Sequence, residues 1–302
     1  MRVALWEKQS ETPFMEFPWT APDGVTFPCH HWQPVGSDRG TVICIHGLGG
    51  AASDFDTLAR HLSQQGLSVY ALNLRGQGHD PVTRRRGAFF DLAALELDIV
   101  AFGDFVRSRQ AGSPLFWCGE SMGSLILSHL LHRKAIGPGI AGAILSVPVV
   151  ELKKPTPPPL RALVRFAARL APNLRLHPGL FVTGKSKPIP VTRDEEHIAR
   201  IRASSHYIPV FSIGFLSAFS RLMDSTPLLA SGITVPTLVL SAGQDVFIRP
   251  EQIARWYDLI PSPDKQHLHY PDAYHLLWND WEKDTVLRDI STWVADRSAL
   301  VH

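Results

Sequence analysis

Serine, aspartate and histidine are the residue types that together turn a hydroxyl into a nucleophile. The hydroxyl needs a base for its proton, and the base needs a third group to hold its tautomer. This chain offers such a set, in that order, at Ser121, Asp245 and His275. Ser121 lies in Gly119-Glu120-Ser121-Met122-Gly123. The apolar run Leu115 to Cys118 ends just before it, and a helical pattern (Leu125, Ile126, Leu127, Leu130, Leu131) begins just after. The reading is strand, sharp turn, helix, with nearly side-chain-free residues on both sides of a strained serine. At a helix N-terminus, unpaired N–H groups and the dipole favour negative charge, so an oxyanion could be held there. The competing reading is an ordinary glycine-flanked N-cap serine.

The base should sit on a loop after a strand. His275, in Pro271-Asp272-Ala273-Tyr274-His275, meets that need. Asp245, directly after the apolar run Thr237 to Ser241, is the expected acid, with Asp272 the alternative; Asp272 reads better as a turn residue. Two backbone N–H groups would complete an oxyanion hole. The expected donors are Met122, next to the nucleophile, and Leu48, in the loop His46-Gly47-Leu48-Gly49. His46 itself reads as a residue that hydrogen-bonds loop backbone.

Elements able to position these residues recur along the chain. Phe14–Trp19 and Val25–Trp32 flank the turn Pro22-Asp23-Gly24 and predict a hairpin. Further strands are expected at Thr41–His46, Leu67–Leu72, Leu115–Cys118, Ile140–Ser146, Val235–Ser241 and His267–Tyr270. Helices are expected at Asp54–Gln65, Phe90–Arg109, Pro250–Leu259 and Asp280–Arg297. Short apolar runs alternating with helices predict an α/β fold with a mostly parallel sheet. The run Glu151 to Pro159, with four prolines, is expected to carry neither strand nor helix, since proline fixes φ and lacks a donor. From there to about residue 232 the pattern is mainly helical. The expected organisation is therefore a core in two parts, 1–149 and 233–302, with a helical cap, 150–232, inserted between them. Ligands of open α/β sheets bind at the carboxyl ends of the strands, where the cap would lie.

The 302 residues are 45% hydrophobic, enough for a large core, and a net charge of +2 gives no electrostatic case for nucleic acid. Met1 to Ser10 holds charges rather than an apolar leader, and no run has the length of a membrane span, so a cytoplasmic protein is expected. Cys29, Cys44 and Cys118 form no metal or disulfide spacing. His30 and His31 are neighbours on a strand and point to opposite faces, a poor ligand pair and better surface or packing residues. Neither a metal nor an organic cofactor is expected.

In order along the chain come His46-Gly47-Leu48-Gly49, Arg75-Gly76-Gln77-Gly78, Gly119-Glu120-Ser121-Met122-Gly123, Gly243-Gln244-Asp245 and Tyr274-His275 before a final amphipathic helix. By these motifs the sequence resembles the α/β-hydrolase superfamily. Within it the likeness is to monoacylglycerol lipases, lysophospholipases and related bacterial esterases, the serine aminopeptidase S33-like hydrolases. It covers nearly the whole chain except the insertion. The family often has Asp before Arg-Gly-x-Gly, where Asn73-Leu74 stand here, and Gly-Gly after Ser-Met, where Gly123-Ser124 stand here. The resemblance implies an α/β-hydrolase fold and a serine carboxylic-ester hydrolase acting through an acyl-enzyme on a monoacylglycerol, lysolipid or other small apolar ester. The same triad could serve acyl transfer, or cleavage of an amide, a lactone or a carbon–carbon bond; a binding protein that keeps the fold is a further alternative. A monomer or dimer is expected.

The insertion bears on the substrate. Arg161, Arg165 and Arg169 share one face of the predicted helix Leu160–Leu170, with leucines and alanines on the rest. The simple expectation is a solvated charged face; the sharper one is a helix that meets a lipid surface. Phe211, Phe215 and Phe219 also recur every four residues and are candidate substrate-binding residues, with packing between cap and core as the other reading. Arg84-Arg85-Arg86 reads as a solvated cluster able to attract an anion.

Overall fold

The structure, a computed structural model, describes residues 13–136, 139–177 and 189–299. Met1 to Ser10, read above for a leader, lies outside them. The sheet has eight strands: β1 Phe14–Thr20, β2 Thr26–Trp32, β3 Gly40–Ile45, β4 Leu67–Leu72, β5 Leu115–Glu120, β6 Ile140–Ser146, β9 Thr237–Ala242 and β10 Lys265–Tyr270. Their order is β1-β2-β4-β3-β5-β6-β9-β10. β1 and β2 form the expected antiparallel hairpin and β2 runs antiparallel to β4; every other pairing is parallel.

Alternation along the strands sorts the core into two layers. Ile43, Ile45 and Trp117 face one layer, and Val42, Cys44, Phe116 and Cys118 face the other. The first is covered by α2 (Leu92–Arg109), α3 (Met122–His132) and α8 (Pro250–Asp258). The second is covered by α1 (Asp56–Gln64) and α9 (Lys283–Ser298), through Leu58, Leu62, Val286, Ile290 and Trp293. His30 and His31 are both buried in packing. His31 stacks on Tyr70 at 4.0 Å and its Nε2 lies 2.8 Å from Ser68 Oγ.

Two boundaries differ from the sequence reading for identifiable reasons. α2 starts at Leu92 because the Asp91 carboxylate caps it, accepting from the Ala93 and Ala94 N–H groups. The last helix starts at Lys283 and not at Asp280, because the Asp280 carboxylate is used elsewhere, accepting from Tyr274 N–H at 2.7 Å and Arg193 N–H at 2.9 Å.

Between β6 and β9 the described chain forms α4 (Pro158–Leu170), β7 (Arg175–Leu176), α5 (Glu195–Ala203), β8 (Phe211–Ser212), α6 (Ile213–Asp224) and α7 (Thr226–Ala230). β7 and β8 pair antiparallel. The proline run does not stop helix formation as expected. Pro158 and Pro159 open α4, where missing N–H groups cost nothing and a fixed φ suits the first turn. The excursion is closed at its root, where Thr226 Oγ1 donates to Val150 O at 2.9 Å.

The orientation of α4 is the reverse of a solvated charged face. Arg161 and Arg165 turn inward, and both pair with Asp224 at the end of α6. Leu163, Phe166 and Leu170 are left 61%, 56% and 71% exposed. Arg169 alone of the three arginines is on the open side. The run at 84–86 is likewise only partly solvated: Arg85 pairs with buried Asp80, and Arg86 Nε donates to Asp80 O.

Candidate active site

β5 runs into α3 through a single residue, Ser121, at φ 55° and ψ −112°. A non-glycine residue held there stores on the order of 1–3 kcal/mol of strain. The flanking glycines follow from space. A Cβ on Gly119 would stand 2.7 Å from Gly123 backbone, and one on Gly123 only 2.0 Å from Ile45 O. Ser121 N–H donates to Ser146 O at 2.9 Å, which ties the turn to β6. Ser124, the serine that departs from the Gly-Gly pattern of the resemblance, fills a role here. Its Oγ lies 2.7 Å from Gly119 O and 2.8 Å from Ser146 O, and its one proton serves one carbonyl at a time.

His275 and Asp245 come from the loops after β10 and β9. His275 Nδ1 donates to Asp245 Oδ2 at 2.7 Å, with both side chains almost fully buried. The other carboxylate oxygen accepts from Phe247 N–H at 2.7 Å and Ile248 N–H at 3.3 Å, so Asp245 is fixed before it fixes anything else. Phe247 packs edge-on against the imidazole at 4.7 Å. A carboxylate only accepts, so Nδ1 carries the proton and Nε2 keeps its lone pair for a hydroxyl. Asp272 is exposed, away from this bond.

Ser121 and His275 line one cavity of about 330 Å³, within the usual range for small-molecule sites of roughly 300–1,000 Å³. Leu48 and Gly47 line it too. Neither the Leu48 nor the Met122 N–H meets an acceptor among the described residues, as an oxyanion hole requires. His46 holds this loop. Its Nδ1 donates to Gly47 O at 2.9 Å and its Nε2 accepts from Leu74 N–H at 3.0 Å. Full burial lowers its pKa to about 4, against the pull of the Gly47 carbonyl, so the ring stays neutral.

The cap supplies the apolar wall: Val164 from α4, Ile198 and Ile201 from α5, and Leu216, Phe219 and Met223 from α6. Phe211 and Phe219 of the predicted phenylalanine face reach the cavity, whereas Phe215 does not line it. Phe215 is buried against Phe90 at 5.1 Å and against Phe211 at 5.0 Å. The four-residue spacing does not put the three rings on one helical face: Phe211 lies in β8, ahead of α6, and only Phe215 and Phe219 belong to the helix, one turned to the core and one to the cavity.

Three residues in this region escaped the sequence reading. Lys153 Nζ donates to Asp245 O at 3.2 Å, from the proline-rich segment. Asp54 and Glu120 both line the cavity. Burial pushes the Asp54 carboxyl up, but His206 and His46 and the Ala51 N–H outweigh it and hold it below the usual carboxylate range. For Glu120, burial and then the Asp54 charge push its carboxyl well above that range. No spacing rule marks the residue before the serine, which is why Glu120 went unread.

Comparison with known proteins places this arrangement. The family described as serine aminopeptidase, S33, matches residues 36–282. The chain is 27% identical over 283 residues to the monoglyceride lipase of Homo sapiens, covering 92% of this chain and 89% of that protein. It is 28% identical over 276 residues to the monoacylglycerol lipase of Mycolicibacterium smegmatis, covering 90% and 93%. Among solved structures it superposes on a soluble variant of the monoglyceride lipase of Saccharomyces cerevisiae with a TM-score of 0.82, at 23% identity, over 96% of this chain and 97% of that one. With its sheet order, its strained serine between β5 and α3 and a family match spanning most of its length, the chain belongs to the serine aminopeptidase S33 family of α/β-hydrolases.

Proposed function

We propose that the chain is a serine carboxylic-ester hydrolase whose substrates are monoacylglycerols or lysolipids. The observation that carries this reading is the Asp245-bound His275 in the same apolar-walled cavity as Ser121. Ester hydrolysis is supported by the relatives named monoglyceride and monoacylglycerol lipase. In the mechanism His275 Nε2 takes the Ser121 proton as Oγ attacks the ester carbonyl. The Leu48 and Met122 N–H groups hold the oxyanion. His275 then gives its proton to the leaving alcohol, and Asp245 stabilises the cation in between. Water, deprotonated by His275, frees the acyl group from Ser121. The acyl chain lies along Val164, Ile201, Leu216 and Phe219.

The exposed apolar face of α4 has a place in this reading. Leu160, Leu163, Phe166 and Leu170, with Arg169 beside them, form a face suited to the lipid surface from which such a substrate comes. Among the described residues no helix is long and apolar enough to cross a membrane.

The test is turnover of p-nitrophenyl esters from short to long acyl chains, and of a monoacylglycerol, by wild type and Ser121→Ala. The expected result is hydrolysis that rises with chain length and a fall on the order of 10⁴- to 10⁶-fold in the variant. Wild type that cleaves an amide or peptide but none of the esters would overturn the reading.

A further inference from the structure

Glu120 has no task in the mechanism above, yet it lines the cavity beside Ser121. It is 3% exposed, its Oε1 is sealed from solvent without a partner, and no donor among the described residues reaches either carboxyl oxygen. Its Oε2 faces the oxyanion loop, 3.8 Å from where a Cβ on Gly47 would stand. Asp54, by contrast, is supplied: Oδ2 accepts from Ala51 N–H at 2.9 Å, and His206 Nε2 stands 3.4 Å from Oδ1.

A buried carboxyl without a donor is held neutral, and the Asp54 charge acts in the same direction. A neutral carboxyl carries one O–H donor and one free acceptor oxygen. With Oε1 sealed, a partner from the cavity meets the carboxyl at Oε2, as acceptor of its O–H or as donor to it. An anion would face Asp54. An alkyl group would leave the carboxyl unmet. An ammonium group would first have to displace its proton. A neutral hydroxyl, donor and acceptor at once, fits without any of these costs.

The corner also has a side. Asn279, which also lines the cavity, donates from Nδ2 to Asp54 O at 3.2 Å. Glu120, Asp54 and Asn279 are the polar part of the lining, against the apolar wall that the cap supplies, and the polar half of an ester belongs beside them. We propose that the Glu120 carboxyl binds a free hydroxyl on the alcohol half of the ester, and so selects esters of polyols over esters of simple alkanols. The inference rests on the ester-hydrolase reading and names the part of the substrate that reading leaves open.

The experiment compares kcat/KM for the glyceryl, methyl and choline esters of one fatty acid in wild type, Glu120→Gln and Glu120→Leu. Glutamine keeps a neutral donor and acceptor; leucine keeps only bulk. Wild type should prefer the glyceryl ester. Glu120→Gln should hold the glyceryl-to-methyl ratio within about threefold, and Glu120→Leu should lower it on the order of 10- to 100-fold with methyl-ester turnover kept. A ratio unchanged by Glu120→Leu, or both esters falling together in either variant, would overturn the proposal. So would a wild-type preference for the choline ester. Binding of a non-hydrolysable glyceryl alkyl ether against the methyl ether, measured on Ser121→Ala with and without Glu120→Leu, reads the same selectivity without turnover. A glyceryl preference in that assay from a protein that hydrolyses none of the esters would sustain the hydroxyl site while the hydrolase reading fell.

Discussion

At the scale of single residues, the fold and its site are held by charges and rings whose ordinary solution behaviour has been suppressed. Burial, followed by the charge of Arg109, lowers the His31 pKa to about 4, and burial lowers that of His46 to the same value. Unfolded, both would titrate near 6.5. Above that value neither state binds a proton and the two rings add nothing to pH dependence. Between 6.5 and 4 the unfolded chain takes up protons that the folded one refuses, so stability falls as pH falls, by up to roughly 3 kcal/mol for His46. Denaturant midpoints measured from pH 7 to 4.5 should drop, and His31→Gln should drop less; equal slopes would count against the assignment. Glu120 works in the other direction. An unmet buried carboxyl opposes folding, so Glu120→Leu should raise stability by about 1 kcal/mol even as it blunts selectivity. A lowered melting temperature would show that the carboxyl has a partner in the fold. Asp245→Asn should keep the fold and cut ester turnover on the order of 10⁴-fold, because an amide no longer holds the imidazole in the needed tautomer.

At the scale of elements, β5, the turn at Ser121 and α3 act as one rigid unit. Gly123 sits so close to Ile45 O that Gly123→Ala has nowhere to put its methyl. It should fail to give a cooperative unfolding transition, whereas Ser124→Ala, which removes only the tie to Gly119 O and Ser146 O, should fold with a loss of about 1–3 kcal/mol. In the cap, α4 is fastened to α6 by Arg161 and Arg165 on Asp224 and turns its leucines outward. If that face meets lipid, Leu163→Glu with Phe166→Glu should abolish flotation with phosphatidylglycerol-containing vesicles and slow hydrolysis of vesicle-borne monoacylglycerol, with p-nitrophenyl acetate turnover unchanged. Retained flotation would sink that role for α4.

At the scale of the whole molecule, the sheet was readable because its central strands are short apolar runs closed by glycine or a turn, and hydrophobic pattern dictates both element and layer. The residues proposed as the triad stood out because each lies on the loop that follows a strand. Two things were out of reach. Pattern shows that α4 has two faces but not which one the body of the protein will cover; here Asp224 on α6 takes Arg161 and Arg165, and the leucines face out. Nor does a motif with an open position say what surrounds the residue that fills it, and the unmet carboxyl of Glu120 is a product of the fold. The root of the cap carries a consequence for the history of such proteins. Val150 and Thr226 touch, so the whole excursion is a closed detour whose ends are already neighbours. The closure entropy of such a loop grows only slowly with its length. Lineages sharing this sheet can therefore lengthen, shorten or exchange the detour, and with it their choice of substrate, while the inherited machinery beneath keeps its register.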